Sequence, residues 1–205
     1  MTIRAVIWDL GGVLLRTKDP THRERLAKRL DMTRKDLEDV VFASESGNRA
    51  QLGEIQVKEH WELLSQRLDL PPGTIQEFQK EFWGGDFLDV LLVDKIRSLH
   101  KQYKTALLSN AFSDLRHFVT QVWEFSDAFD EMIISAEVGM VKPDPRIYRL
   151  VLERLDVTAP EAVFIDDFAE NVEGARAVNM NAIHFLNPLQ ALADLDRLLE
   201  MDDHE

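Results

Sequence analysis

The sequence contains no cysteine among its 205 residues. Disulfide bonds, thiolate catalysis and zinc sites built from cysteine are therefore excluded, and nothing in the composition indicates an oxidising compartment. The six histidines include no pair at the spacing of metal ligands. We expect them to be surface or core residues.

Long apolar runs and an excess of positive charge are also missing. No stretch approaches the roughly 18 apolar residues of a membrane helix, and the short N-terminal apolar run is too brief for a signal peptide. The formal net charge of -13 disfavours nucleic acid and anionic membranes, which bind positive surfaces. We expect a cytoplasmic protein with neither partner, and the sequence identifies no protein partner.

What the sequence does contain is a hydrophobic fraction of 45%, enough for a sizeable core. Five apolar runs have the length of β-strands and are bounded by turn or polar residues. They cover residues 5–8, 105–108, 131–134, 162–165 and 182–186. Helical patterns at 146–155 and 171–178 separate the later runs. This alternation predicts an α/β fold with a parallel sheet and helices on its faces.

Residues 17–89 interrupt the alternation and are interpreted as entirely helical. Thr33 is a candidate N-cap with Asp36 three residues later, an apolar stripe runs over 57–68, and a third helix starts at Thr74. We predict a helical cap over 17–89, inserted into a core made of 1–16 and 90–205. The last five residues, 201–205, are interpreted as a frayed tail.

Polar residues follow four of the predicted strands. They are Asp9, the pair Ser109 and Asn110, Lys142, and the pair Asp166 and Asp167. Because the carboxyl ends of parallel strands meet at one edge of a sheet, these residues are expected to converge. Carboxylates suit Mg²⁺ and a lysine neutralises phosphate oxygens, so the set indicates a phosphate held together with a divalent cation.

These motifs resemble those of the haloacid dehalogenase-like phosphatase superfamily. The matching segments are VIWDLGGVL, ALLSNA, VKPDPRIY and VFIDDFAENVEGA, in the family's order and with its helical cap in the expected gap. The sequence is most similar to the branch that contains glucose-1-phosphate phosphatase and the N-terminal phosphatase domain of epoxide hydrolase. The resemblance implies a Rossmann-like sheet with strand order 5-4-1-2-3.

The resemblance also implies a role for each residue. Asp9 would attack phosphorus and form an aspartyl-phosphate on a small phosphorylated metabolite. Mg²⁺ would be held by Asp9, the carbonyl of Gly11 and Asp167, with Asp166 close by or acting through water. Lys142 would balance the charge around Asp9 during catalysis.

Two further groups are implied to bind the phosphate. They are Ser109 and the backbone N–H of Asn110, which is expected at the start of a helix, where anions are favoured. Two roles stay open for Asn171. It is either a helix cap or supporting residue, or a residue that contacts the ligand at the site. Arg49, Trp83 and Phe87 are candidates for substrate contact from the cap.

Gly11 departs from the family pattern, which usually has an aspartate there to protonate the leaving oxygen and later activate water. General acid–base catalysis contributes about 10² to 10⁴ in rate. Without this aspartate there are three alternatives. The protein is a slow enzyme, another residue supplies the acid, or the leaving group of the substrate needs little protonation. The hypothesis is a sugar 1-phosphate or a similarly activated ester.

Two other functions stay open on the sequence. A haloacid dehalogenase would use Asp9 to attack carbon, without needing the acid pair 166–167 for metal. A binding protein would keep the phosphate site but turn over nothing, because Gly11 has removed the acid.

Overall fold

The computed structural model of the protein describes residues 2–200. The strands within this range are β1 (Ala5–Trp8), β2 (Leu15–Thr17), β3 (Asp86–Leu88), β4 (Lys104–Ser109), β5 (Glu131–Ile134), β6 (Ala162–Asp166) and β7 (Asn181–His184). The first group of helices is α1 (Thr21–Arg29), α2 (Arg34–Phe42), α3 (Glu45–Gln51), α4 (Val57–Arg67) and α5 (Ile75–Trp83).

The remaining helices lie between and after the later strands. They are α6 (Val90–Leu99), α7 (Leu115–His117), α8 (Ser135–Val138), α9 (Pro145–Leu155), α10 (Ala169–Ala177) and α11 (Pro188–Glu200). A π-helical turn, Phe118–Val122, continues α7, and 3₁₀ turns cover Ser126–Ala128 and Ala159–Glu161. No helix within residues 2–200 is long and apolar enough to cross a bilayer.

The main sheet has the order β5-β4-β1-β6-β7, and every pair in it is parallel. When these five strands are numbered along the chain, the order is 5-4-1-2-3 read from the β7 edge. The predicted fold class and strand order are therefore confirmed. β1 lies in the middle and its four residues are fully buried, which explains its uninterrupted apolar sequence.

Successive residues of β1 point to opposite faces of the sheet. Val6 and Trp8 belong to a cluster with residues of α6 and α11, whereas Ala5 and Ile7 belong to a cluster with residues of α9 and α10. The two-residue period of a strand thus divides the core into two layers. The helices that cover both faces leave the carboxyl ends of the strands open for a site.

Helices α1 to α5 share a third hydrophobic cluster. The structure confirms the helix predicted after Thr33, because Thr33 and Asp36 form a capping box there. Phe112, from the loop after β4, is buried in the same cluster and stacks against Phe42 with ring centroids 6.1 Å apart. We propose that these helices form the cap, with the boundaries expected from the sequence.

The expectation that residues 17–89 are entirely helical is wrong at both ends. β2 and β3 pair antiparallel, with Leu15 opposite Leu88 and Thr17 opposite Asp86. Three-residue strands are too short to show a period of two, and their pairing partner lies about 70 residues away in sequence. The sequence pattern also does not predict α1 and α3 as separate helices. The prediction for residues 201–205 lies outside the described residues.

A buried arginine joins the two-stranded ribbon to the helices around it. The Arg23 guanidinium donates to the Phe82 carbonyl at 3.0 Å, to Glu38 at 3.0 Å and to Asp86 at 2.5 Å. The Arg23 side chain is 9% exposed and that of Asp86 is 8% exposed. Loss of the arginine would leave a buried carboxylate without its partner, which is the costly way to break an ion pair.

We expect Arg23→Ala to lower the free energy of unfolding by about 3 kcal/mol, the lower end of the range for breaking a buried pair. The matched control is Arg29→Ala, because Arg29 also links α1 to α5, through Glu81 at 2.6 Å, but its side chain is 60% exposed. An exposed pair contributes about 0 to 1 kcal/mol. Urea unfolding followed by circular dichroism measures both, and equal losses would contradict the assignment.

Candidate functional site

Asp9 lies immediately after the central strand β1. Its backbone N–H donates to the carbonyl of Ile165 at 2.9 Å, which continues the β1–β6 pairing by one residue. The residue is 5% exposed. The middle of the sheet therefore presents one buried carboxylate at its carboxyl end, where ligands bind in α/β folds.

Lys142 brings an ammonium to this carboxylate. Its Nζ lies 2.7 Å from Asp9 Oδ1 and 2.7 Å from Asp166 Oδ2. It also donates to the carbonyl of Leu108 in β4 at 3.0 Å. The side chain is 1% exposed, so its charge is compensated almost entirely by these oxygens.

Burial and charge act in opposite directions on these groups. Burial, reinforced by Asp166, raises the pKa of Asp9 to about 7, although Lys142 acts to lower it. Burial alone would lower the pKa of Lys142, but attraction to Asp9 and Asp166 outweighs it and the pKa is raised. The lysine therefore stays charged, and the site has a deficit of positive charge.

The carboxylate of Asp166 is fully buried and fully engaged. Asn171 Nδ2 lies 3.1 and 3.0 Å from its two oxygens, and the N–H of Phe168 donates to Oδ1 at 2.7 Å. The Tyr148 hydroxyl donates to the Asn171 carbonyl at 2.8 Å. Asn171 thus supports Asp166, one of the two roles that the sequence leaves open for it, and the Tyr148 hydroxyl holds Asn171 through a contact that the sequence does not indicate.

Asp167 is different, because one of its oxygens has no partner. Oδ1 is buried without a hydrogen bond among the described residues. Burial, with a contribution from Asp166, raises the pKa of Asp167 to about 6. Its backbone carbonyl accepts from His184 Nε2 at 2.9 Å, a support that the sequence did not indicate.

The backbone at Gly12 makes room for this carboxylate. Gly12 has φ +75°, and a Cβ placed there would lie 2.0 Å from Asp167 Oδ2. Only glycine combines this left-handed conformation with such a close approach. The space around Asp167 therefore depends on a residue that the sequence analysis did not select.

A divalent cation fits this cluster. Oxygens of Asp9, Asp166 and Asp167 all lie within 4.8 Å of one another. Two of these carboxylates share the Lys142 ammonium, and the buried Asp167 oxygen without a hydrogen bond among the described residues is suited to a hard cation such as Mg²⁺. Gly11 is exposed and forms a bridge to Leu15, so its backbone lies at the turn that follows Asp9.

Ser109 and Asn110 end β4, beside β1. Ser109 is buried, and the Asn110 side chain donates to the Lys142 carbonyl at 2.9 Å and accepts from the Lys142 N–H at 2.8 Å. Asn110 therefore fastens the loop that carries Lys142. The expectation that Asn110 begins a helix is wrong, because α7 starts only at Leu115 and, in the intervening loop, Phe112 packs into the cluster of the cap helices.

The sheet edge thus brings together Asp9, Lys142, Asp166 and Asp167, with Ser109 and Gly11 at the margin of an adjoining cavity. This cavity has a volume of about 630 Å³ and lies between the strand ends and the cap helices. Trp83, one of the three candidates for substrate contact, lines it. Arg49 and Phe87 do not: Arg49 pairs with Glu54 at 3.6 Å, and Phe87 lies under the guanidinium of Arg16.

Comparison with known proteins identifies one family and several similar proteins. The model of a family described as haloacid dehalogenase-like hydrolase matches residues 3–179. A sesquiterpene phosphatase of Aspergillus oryzae is 29% identical over 97% of each chain. Bifunctional epoxide hydrolase 2 of Rattus norvegicus is 37% identical over 48% of this chain, but the match spans 18% of that protein.

Two further similarities bear on the chemistry. An (S)-2-haloacid dehalogenase of a Pseudomonas species is 32% identical over 40% of this chain and 36% of its own length. The crystal structure of a family enzyme from Bacteroides thetaiotaomicron, in complex with magnesium and inorganic phosphate, superposes with a TM-score of 0.71. It covers 88% of this chain and 93% of that one at 20% identity, which shows a shared fold.

We expect Gly12→Ala to displace the Asp167 carboxylate and to weaken Mg²⁺ binding about 10-fold to 100-fold, as disturbing the surroundings of a metal ligand does. The matched control is Gly73→Ala, because Gly73 has φ +82° and nothing lies within 4 Å of an added Cβ. Calorimetric titration with Mg²⁺ measures the affinity. Unchanged binding in a folded Gly12→Ala variant would remove Asp167 from the metal site.

Proposed function

The chain belongs to the haloacid dehalogenase-like hydrolases, and on that premise we propose that it is a Mg²⁺-dependent phosphomonoesterase. The observation that carries the proposal is the Asp9 carboxylate, held 2.7 Å from the Lys142 ammonium at the end of the central strand, with Asp166 and Asp167 beside it. The phosphatase among the full-length relatives supports the same reaction class. The proposed substrate is a small phosphorylated metabolite.

The first step is nucleophilic displacement at phosphorus. An oxygen of Asp9 attacks the phosphorus atom, the bond from phosphorus to the ester oxygen breaks, and the leaving oxygen takes a proton to become an alcohol. Lys142 compensates the negative charge that accumulates between Asp9 and the phosphoryl oxygens. Ser109 and the backbone N–H of Asn110 are the proposed donors to those oxygens.

The second step restores the enzyme. A water oxygen attacks the phosphorus of the aspartyl-phosphate, the bond to the Asp9 oxygen breaks, the water gives a proton back to the group that protonated the leaving oxygen, and inorganic phosphate leaves. Asp9, the Gly11 carbonyl and Asp167 would hold Mg²⁺, with Asp166 nearby. When bound, the ion neutralises the carboxylates and the phosphoryl oxygens so that like charges can approach.

Position 11 lacks the carboxylate that would give and take the proton. Within the cavity lining there are two other carboxyl groups, those of Asp86 and Asp114. Asp86 already accepts from Arg23 and Thr17. Asp114 is half-buried, and burial raises its pKa, which favours the protonated form that a general acid requires. We propose Asp114 as the substitute acid.

The sugar 1-phosphate expected from the sequence stays a prediction, and the dehalogenase is the specific rival because one relative carries that name. The acid cluster favours phosphate chemistry, since halide displacement from carbon does not need a metal. Chloride release from a 2-chloroacid that persists with a chelator would favour the rival. A protein that binds phosphate but is inert toward every ester would be the non-catalytic alternative.

We expect Asp9→Asn to abolish hydrolysis of para-nitrophenyl phosphate, because the amide is not a nucleophile for phosphorus and the loss of a nucleophile costs several orders of magnitude. A chelator should have the same effect on the wild type, and added Mg²⁺ should reverse it. Asp39→Asn, an exposed aspartate on α2, is the control for the charge change. Phosphate release measures the rate, and metal-independent turnover would contradict the proposal.

Gly11→Asp should raise the rate on alkyl phosphates more than on aryl phosphates, by at least about tenfold within the 10² to 10⁴ range of acid–base catalysis. An added Cβ at Gly11 meets no atom within 4 Å, so the substitution fits. Gly11→Asn is the control, since it has the same shape but no acid.

Asp114→Asn tests the substitute acid in the same assay. It should lower the alkyl phosphate rate of the wild type and have a smaller effect in the Gly11→Asp background, where a second acid is present. Equal effects in both backgrounds would show that Asp114 does not supply the proton.

A further inference from the structure

The cavity beside the strand ends begins at the proposed phosphate site. Gly11, Ser109 and Asn110 all line it. A phosphate held by Ser109 would therefore direct its ester group into this space, which extends toward the cap helices. The volume of about 630 Å³ lies within the roughly 300–1,000 Å³ of small-molecule sites.

Aromatic side chains make up much of the lining, from both the cap and the core. The aromatic wall consists of Phe42, Trp61, Trp83, Phe112, Phe118 and Trp123. Several of these rings pack on one another: Phe112 lies 6.1 Å from Phe42 and 6.2 Å from Trp61 between centroids. The wall is therefore held in place by contacts of its own and offers a preformed apolar surface.

Four leucines add to the apolar lining of the cavity. They are Leu10, Leu15, Leu88 and Leu115. Since Gly11 has no side chain and nothing lies within 4 Å of its Cβ position, position 11 adds no carboxylate to this lining, whose two carboxyl groups are those of Asp86 and Asp114. A hydrocarbon chain attached to the phosphate could extend into the cavity and contact these apolar atoms directly.

The cap offers few buried polar groups to a sugar. The Gln51 amide nitrogen donates to the Phe42 carbonyl at 2.7 Å, and Asp86 is engaged by Arg23. Of the other polar cap residues in the lining, Gln76 and Lys80 are exposed to solvent and Gln79 is half-buried. Placing several hydroxyls against this wall would strip their water without replacing the hydrogen bonds, at a cost for each group.

We propose that the substrate is the phosphate monoester of an extended apolar alcohol, a hydrocarbon chain that occupies the cavity while its phosphate lies at Ser109 and Lys142. The inference rests on the proposed phosphatase function for turnover, but its binding component does not. It replaces a polar sugar by a lipid-like leaving group and assigns specificity to the aromatic wall.

A homologous series of esters tests this. Ethyl, butyl, hexyl and octyl phosphate share the same reacting group and differ in the apolar area that binding buries. Each fully buried methylene contributes about a fourfold gain, so kcat/KM should rise at least about tenfold from ethyl to octyl phosphate. Octyl phosphate should also exceed glucose 1-phosphate.

Binding is measured separately with the matching alkylphosphonates, whose carbon–phosphorus bond is not hydrolysed. Calorimetry in the presence of Mg²⁺ should show tighter binding as the chain lengthens. Phe118→Ala should weaken octylphosphonate binding about threefold to tenfold and leave ethylphosphonate unchanged, because a buried apolar contact is lost only for the long chain.

The matched control is Val122→Ala, since Val122 lies in the same π-helical turn as Phe118 but outside the lining. Phe118 and Val122 are 37% and 53% exposed, so neither substitution empties the core. Trp83→Ala, at 36% exposure, is the second test of the wall from the cap side.

The outcomes separate the two proposals. Aryl phosphate turnover that needs Mg²⁺, together with affinity and kcat/KM that do not depend on chain length, would overturn the apolar substrate and leave the phosphatase. Length-dependent phosphonate binding without hydrolysis of any ester would refute the phosphatase and retain the apolar site. Faster turnover of glucose 1-phosphate than of octyl phosphate would also overturn the inference.

Discussion

The ammonium of Lys142, enclosed between the carboxylates of Asp9 and Asp166, is the contact on which the rest of the site depends. Asp9 ends β1 and Asp166 ends the neighbouring strand β6, so the pairing of these strands forces two buried negative charges together. Without the lysine, each carboxylate would bear a desolvation penalty and the repulsion of the other, a cost of several kcal/mol. The lysine also reaches the Leu108 carbonyl in β4, so one side chain joins the ends of three adjacent strands.

The contact of Lys142 with Asp9 and Asp166 also explains why the site is suited to a cation. One ammonium balances one of the three carboxylates, and the hydrogen bonds of Asn171 and Phe168 stabilise Asp166 without adding charge. The remaining imbalance falls on Asp9 and Asp167, whose pKa values are raised first by burial. A divalent cation would remove this imbalance and satisfy the Asp167 oxygen that has no hydrogen bond within residues 2–200. Gly12 keeps the necessary space, because any side chain there would collide with Asp167.

The sheet was predictable because its three central strands are buried on both faces and all five appear as short apolar runs, with Asp9, Ser109, Lys142 and the 166–167 pair following them. Strand order and family came from motifs that lie at those ends. The ribbon of β2 and β3 was not predictable, since each strand has three half-buried residues and only the tertiary pairing stabilises it. The roles of the Asn110 side chain and of His184 depend on contacts between residues 32 and 17 positions apart in sequence, which no local pattern encodes. The cavity was still harder to predict from the sequence, because its lining combines residues of the cap and of two core segments.

Gly11 connects the chemistry to this cavity. A carboxylate at position 11 would supply a proton, but it would also place a charge at the start of an apolar path, where its own desolvation is unfavourable. An apolar leaving group that fills the path excludes water from the ester oxygen, so solvent cannot readily supply the missing proton. The proton must then come from a group on the lining itself. Asp114, whose pKa is raised by burial and which lines the same cavity as Ser109, is the group proposed for this step. On the proposed function, the absent side chain at position 11, the apolar lining and an acid supplied from Asp114 would be parts of one arrangement.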